Sequence, residues 1–339
     1  MQQKSDVKKT NAGKSNIPRP LLPVVNYFRD NLGIMIGLFV LCVIVAIANP
    51  VFLSTNNLLN VLRQITTNLY LAMAMTMVII LGGIDLSVGS VVAVVGVVTT
   101  MSIAILGAPI AVAVIIGILL GMAFGAMNGV FAATTTIPPF IITLATMNIA
   151  RGVAFILTEG APVRVMSPEF NFIGSGHIGP IPMPVIYLIV LIIVCVFIMN
   201  KTKLGRHIYA VGGNVEAARF SGINIKRVKM FAFTFSGFMA GCAGVVLASR
   251  MFSGQPTAGQ GAELDAIAAV VLGGTSMRGG IGRIGGTIIG ALVIGVLNNG
   301  LNLMGVSSFW QDVVKGIVIL AAVYADVLRR NRAEMAKAK

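Results

Sequence analysis

Pro109–Ala133 reads PIAVAVIIGILLGMAFGAMNGVFAA, 25 residues without a charge. A membrane-spanning helix needs roughly 20 predominantly apolar residues, so this stretch is long enough to cross a bilayer. Within lipid each segment must satisfy its own backbone hydrogen bonds, which makes it a helix. Glycine recurs at every fourth position, at Gly117, Gly121, Gly125 and Gly129. A helix face without side chains lets another backbone approach closely, and embedded helices gain van der Waals contact that way.

The same character extends outward. Of 339 residues, 56% are hydrophobic and 11% charged, against about 25% charged in soluble domains. A soluble enzyme, a disordered chain and a fibrous protein are excluded. No strict polar–apolar alternation points to a barrel. Ten apolar segments are read: Leu32–Ala48, Leu58–Leu81, Leu86–Leu106, Pro109–Ala133, Pro138–Leu157, Pro182–Met199, Val228–Ser249, Ala266–Gly279, Ile284–Met304 and Val313–Leu328. The expected fold is an all-α membrane protein of about ten transmembrane helices. Residues 1–30 read as a flexible basic tail, 31–328 as the membrane domain with a polar loop at 200–229, and 329–339 as a second basic tail.

Charge sets the expected orientation. The formal net charge is +14, and the basic residues cluster between spans, so they report topology rather than a nucleic-acid partner. With both termini cytoplasmic and ten crossings, 20 of the 25 Lys and Arg residues fall inside. Nine crossings would put Arg329, Arg330 and Arg332 outside, against the positive-inside rule. The eighth segment is the weak one. It is short and ends in Gly273, Gly274, Gly279 and Gly280, as a broken or re-entrant helix would. A second glycine ladder, Gly282, Gly286 and Gly290, lies near the ninth segment. Val78–Gly83 (VIILGG) echoes Ala269–Gly274 (AVVLGG), an alignment that suits a parallel repeat.

Catalytic chemistry is missing. There is no G-x-x-x-x-G-K-[ST] loop, H-E-x-x-H or G-x-S-x-G, and neither His177 nor His207 lies in a span. Cys42, Cys195 and Cys242 sit in apolar runs with no metal spacing. No metal, cofactor or enzymatic activity is expected. Ionisable groups inside spans are few, namely Asp85, Arg151, Asp312 and Asp326, which is thin material for an ion-coupled carrier. Amides suit a neutral polyol better, because each donates and accepts. Asn128, Asn148, Asn298 and Asn299, with Asp85 and Arg151, are therefore the translocation-pathway candidates. Joining helices is the bland reading of each. Asp312 and Lys315, three apart, are spaced to pair with each other.

Four blocks then carry a family resemblance. They are Gly82–Ser90 (GGIDLSVGS), Gly205–Asn214 (GRHIYAVGGN) running on through Glu216-Ala217-Ala218-Arg219 and Ser221-Gly222-Ile223-Asn224, Glu263–Ser276 (ELDAIAAVVLGGTS) and Leu297–Val306 (LNNGLNLMGV). Together with Gln255–Gly259 (QPTAG), they resemble bacterial sugar ABC-importer permeases of the ribose type over about residues 35 to 328. The resemblance implies an inner-membrane permease subunit that moves a monosaccharide inward by alternating access. It implies four partners: a cytoplasmic ABC ATPase, a periplasmic or lipid-anchored sugar-binding protein, a second permease subunit forming a homodimer or heterodimer, and the sugar. The rival reading is an ion-coupled secondary sugar carrier.

The blocks make physical sense in that light. Glu216–Ser221 reads as a short helix with Asn214 as N-cap, and small Ala217 and Ala218 would let it seat in a groove on the ATPase. Gly212-Gly213 before it and Gly222 after it permit tight turns, so Gly205, Arg206, Gly212, Gly213, Asn214, Glu216, Ala217, Ala218, Ser221 and Gly222 are the coupling candidates. Asp85 is placed to N-cap the third span after a Gly82-Gly83 turn. Glu263 and Asp265 open the eighth span, where carboxylates suit the positive helix end and where a binding protein would dock.

Overall fold

The computed structural model describes residues 22–338, with the side chains of most of residues 32–328. Residues 1–21, most of the expected N-terminal tail, lie outside the described residues, as do the basic side chains of Arg329–Lys339. The helices are α1 (Leu22–Ala48), α2 (Thr55–Ile80), α3 (Val88–Ala104), α4 (Ile110–Thr134), α5 (Pro139–Thr158), α6 (Pro168–Ser175), α7 (Met183–Lys201), α8 (Lys203–Gly213), α9 (Val215–Phe220), α10 (Ile225–Arg250), α11 (Ala262–Leu272), α12 (Ile284–Leu303) and α13 (Ser308–Ala338). Each apolar segment contains one helix. α6, α8 and α9 lie in the connections. α1 begins inside the stretch expected to be tail, and α13 runs on to Ala338 through the other.

Among the described residues α4, α5, α7, α10 and α12 are long and apolar enough to cross a membrane, while Leu32–Ala48 and α3 are apolar but shorter. The protein is an all-α, multi-pass membrane protein. α2 is more polar because it meets protein rather than lipid. It packs against α7, α10, α11 and α12, and every residue from Leu69 to Leu81 is buried. Its polar groups pair with neighbours: Thr76 with Thr287 at 2.7 Å, and Asn57 with Asn299 through two reciprocal amide bonds of 3.0 and 2.9 Å. These contacts join 57 to 299 and 76 to 287, so α2 and α12 are antiparallel. Val45 lies against Gly300, and Asn49 bonds the Leu303 carbonyl, so α1 and α12 run parallel.

The glycine ladder of α4 works within the chain. Gly121 and Gly125 face Gly237 and Gly241 of α10, and Gly129 faces Met230. The two helices are antiparallel with their backbones in contact. The second ladder does the same for α11, where Gly286 lies against Gly273 and Gly290 against the Ala269 carbonyl.

The eighth segment is the departure. α11 has 11 residues, a rise of about 16 Å, half of a hydrocarbon core of about 30 Å. The rest of that path is non-helical chain, the two-residue strand Ser253–Gly254 followed by turns through Gly261. Gly254 lies against Gly96–Thr100 of α3, and Gly259 against Gly89. Residues 253–261 thus run alongside α3, antiparallel to it, before α11 begins. A shorter non-helical stretch, 81–87, precedes α3. The echo between the two regions is real at the level of backbone, but its register is one residue off the expected alignment. Gly82 (φ +89) and Gly274 (φ +83) take the left-handed position. The closing bonds run from Gly83 N to Val78 O at 2.9 Å and from Thr275 N to Val270 O at 3.2 Å. Val78–Gly83 therefore matches Val270–Thr275, because the helix-ending left-handed residue fixes the register.

The α5–α7 connection also differs from a free loop. α6 docks on the end of α10, with Phe170 fully buried and the Gly174 N–H donating to Ser249 Oγ at 2.6 Å. Val163–Arg164 (β1) pairs antiparallel with Ser253–Gly254 (β4), and His177–Ile178 (β2) pairs with Ile181–Pro182 (β3).

A test of the α4–α10 seam is Gly237→Ala. The added Cβ would overlap the Gly121 carbonyl oxygen and come within 2.8 Å of Gly125 Cα. Overpacking of this kind costs about 1–3 kcal/mol, read as a lowered unfolding midpoint of the detergent-solubilised protein. Gly37→Ala, with nothing within 4 Å of the new methyl, leaves the midpoint in place.

Candidate functional site

A polar cavity of about 310 Å³ lies where the two interrupted elements meet. Its polar lining comes from Ser90 on α3, Asn148 and Arg151 on α5, Thr257 and Gln260 on the turns before α11, and Glu263 on α11. Met147 and Phe155 complete the wall. The volume falls in the range of about 300–1,000 Å³ usual for small-molecule sites. Arg151 Nη1 donates to the Pro256 carbonyl at 2.6 Å and the Ala258 carbonyl at 2.8 Å. These are backbone acceptors that a helix would have consumed. Glu263 Oε2 is buried with no hydrogen-bond partner among the described residues. Gly89 leaves room for it, since a Cβ at 89 would overlap that oxygen. Arg151 lies 12 residues into α5, about 18 Å along its axis, so the cavity sits partway across the apolar layer, open at the side where Asn148 is exposed.

Other polar candidates bond to one another within the core. Asp85 is buried, and its Oδ1 accepts from Ser87 N at 3.0 Å and Ser87 Oγ at 2.6 Å. Asn128 donates to Ser87 Oγ at 2.9 Å and accepts from Thr146 Oγ1 at 2.6 Å. The chain Asp85–Ser87–Asn128–Thr146 ties the start of α3 to α4 and α5. Asp265, on the far side of α11 from the cavity, lies 3.6 Å from Lys315 Nζ and accepts from Asn298 at 3.5 Å. Lys315 also lies 3.7 Å from Asp312, so the expected pair exists within a larger group.

At the end of the bundle where α2 stops and α10 starts, α8 and α9 form a compact surface. Asn214 Oδ1 accepts from Ala217 N at 2.9 Å and so caps α9. Gly222 (φ +78) closes it, with Ile223 N bonded to the Ala218 carbonyl at 3.1 Å. Glu216 and Arg219 pair at 3.1 Å on the exposed face. Ala218 is 4% exposed, whereas Phe220 is 88% exposed.

Comparison with known proteins now bears on this arrangement. Residues 57–323 match a family described as a branched-chain amino acid transport system permease component. The chain belongs to this permease family. It is 48% identical over 299 residues to the ribose import permease protein of Bacillus subtilis, covering 88% of this chain and 92% of the relative. It is 47% identical over 297 residues to the ribose import permease protein of Escherichia coli, covering 86% and 92%. It is 35% identical over 367 residues to the xylose transport system permease protein of Haemophilus influenzae, covering 89% and 98%. No solved structure matches the chain significantly. The protein is a transport permease and not an enzyme.

The permease sorts the expected residues differently from the sequence. Of the pathway candidates, Asn148 and Arg151 line the cavity. Asp85, Asn128, Asn298 and Asn299 do not; they lie within the core, where Asn298 donates to Asp265 while its own Oδ1 has no partner among the described residues. Asp85 does not cap α3 either. Ser87 occupies the cap position, and Asp85 forms a local turn onto it. Glu263 and Asp265 were expected on a docking surface. Instead Glu263 belongs to the cavity, and Asp265 is 7% exposed and paired inside the bundle. Gly212 and Gly213 end α8 and do not form a turn. Ala218 anchors α9 to its own chain, so it is not part of an outward face. Ser90 and Thr257 entered only as members of the resembling blocks, and Gln260 and Phe220 carried no reading as site residues.

The Asp265 group gives a second test. Lys315→Met leaves the Asp265 carboxylate buried without its cation. Since Lys315 keeps 24% of its side chain exposed, the loss falls below that of a fully buried pair, at about 2–3 kcal/mol. Adding Asp265→Asn recovers most of it. Unfolding midpoints of the two singles and the double measure this, and additive losses would show that the groups do not interact.

Proposed function

We propose that the permease is the membrane subunit of an ATP-driven importer for a monosaccharide, ribose or a close relative, working by alternating access. The cavity carries the reading. Asn148, Gln260, Thr257 and Ser90 match hydroxyl groups in both directions, Arg151 donates, and the unpartnered Glu263 oxygen accepts. The relatives named for ribose and xylose point to the same substrate class. A branched-chain amino acid, as in the family's description, would match Arg151 and Glu263 with its charged ends but leave the amide and hydroxyl groups of Asn148, Gln260, Thr257 and Ser90 facing methyl groups.

The chain carries no nucleotide-binding loop, so energy comes from a partner ATPase on the cytoplasmic side. That side is the α8–α9 end, in keeping with its basic residues. Both termini lie there too, after ten crossings, the eighth made by residues 251–273 as non-helical chain followed by α11. Asn148 is exposed in the isolated chain although it lies within a span. A second copy facing it would close the cavity and make a homodimeric pathway in the bacterial inner membrane. A periplasmic or lipid-anchored binding protein delivers the sugar at the α6 end.

Reconstitution with the cognate ATPase and binding protein tests this directly. Ribose uptake should require ATP and all three components, with a panel of pentoses, hexoses and leucine setting selectivity. Gradient-driven uptake by the isolated chain would instead establish a secondary carrier.

Docking on the ATPase is assigned to the Phe220 face of α9. Burying a phenylalanine is worth about 1.5–3 kcal/mol, so Phe220→Asp should weaken copurification of the ATPase by about 10- to 100-fold. Membrane abundance should hold, since the side chain touches little of its own chain. Undiminished copurification would move the contact elsewhere.

A further inference from the structure

The last turn of α8 touches two other elements at one point. A Cβ on Gly212 would overlap the Ile80 carbonyl oxygen and lie 2.8 Å from Gly280 N. The Gly280 N–H donates to that same Ile80 carbonyl at 2.8 Å. Gly279 is equally close-packed, its added Cβ lying 2.9 Å from the Gly212 carbonyl oxygen and 3.1 Å from Gly82 N. Tyr209, one turn earlier on α8, donates to the Gly282 carbonyl at 2.8 Å. Gly279 and Gly280 hold positive φ of +87 and +75, so side chains there are strained as well as crowded.

The two elements joined here lead to two walls of the cavity, α5 forming the third. Ile80 ends α2, and the chain then passes directly to α3, which carries Gly89 and Ser90. The 276–283 turn follows α11, whose first turn carries Glu263 at the other end of a short rigid rod. α8 itself continues through the Asn214 cap into α9.

We propose that Gly212 is the positioning residue through which a displacement of α8–α9 is transmitted to both interrupted elements at once. The proposal rests on the importer reading above. Because Gly212 touches Ile80 and Gly280 backbone to backbone, no flexible side chain absorbs the displacement. Both of these walls then move with α8, so cavity geometry follows the state of the ATPase.

The test uses the full transporter of permease, ATPase and binding protein in proteoliposomes, and reads sugar taken up per ATP hydrolysed. Gly212→Ala should keep the ATPase bound and hydrolysing while uptake per ATP falls about tenfold or more, as expected for overfilling a backbone contact. Tyr209→Phe, which removes one hydrogen bond, should lower the same ratio by a smaller factor. Gly37→Ala should not change it. A wild-type ratio in Gly212→Ala overturns the proposal. So does loss of uptake and hydrolysis in equal proportion, the mark of a merely unfolded fraction. Should Gly212→Ala fail to accumulate, Tyr209→Phe decides: a lowered ratio supports the joint, and an unchanged ratio overturns it. A wild-type assembly without ATP-driven uptake would remove the importer reading, and this proposal with it.

Discussion

Every backbone N–H and carbonyl within the apolar layer must find a partner inside the protein. Helices do this by themselves, and this chain abandons helix twice at depth, before α3 and before α11. Side chains make good the loss at both places. Thr143 accepts from Leu86 N at 3.1 Å and donates to the Ile84 carbonyl at 3.0 Å, while Asp85 accepts from Ser87 N. Arg151 satisfies two carbonyls of the second stretch. Thr143 and Arg151 both stand on α5, an ordinary spanning helix that acts as the splint for both interruptions. The cavity lies beside that splint because free backbone and polar side chains are gathered there already.

Close backbone contact is the second condition. The α4–α10 and α11–α12 seams both use glycine, and so does the joint at Gly212. The seams pair continuous helices along their length, whereas the joint is a single point. A seam resists separation along many residues, and a point contact passes displacement between elements that are otherwise free to tilt.

The sequence made the helices legible because a bilayer imposes one simple rule on length and apolarity. Nine segments are helices of at least 17 residues. The eighth was marked as weak by its glycines, and its helix ends at Leu272, before them. The non-helical stretch that leads into it, residues 253–261, escaped notice because it lies outside the apolar run and carries polar residues, which read as a loop. The α8–α9 surface was legible in outline: Asn214 and Gly222 do what their types favour. The inward and outward faces of α9 were not, since a helix of six residues has too few turns to define a periodicity. The buried amides were the least legible. Asn148 and Asn299 have the same chemistry, and only the neighbour across the helix, Asn57 in one case and a cavity in the other, separates a fastener from a binding group.

Phe220 has a consequence for how the assembly is made. A phenylalanine 88% exposed on a helix in water leaves about 1.5–3 kcal/mol of burial unrealised until a partner covers it. An orphan copy thus carries a sticky aromatic beside a chain already inserted in the membrane, where neighbouring copies are concentrated in two dimensions. Synthesis of the permease is therefore best matched in amount to its soluble partner. An excess of permease would self-associate or be recognised by quality-control proteases through this exposed side chain.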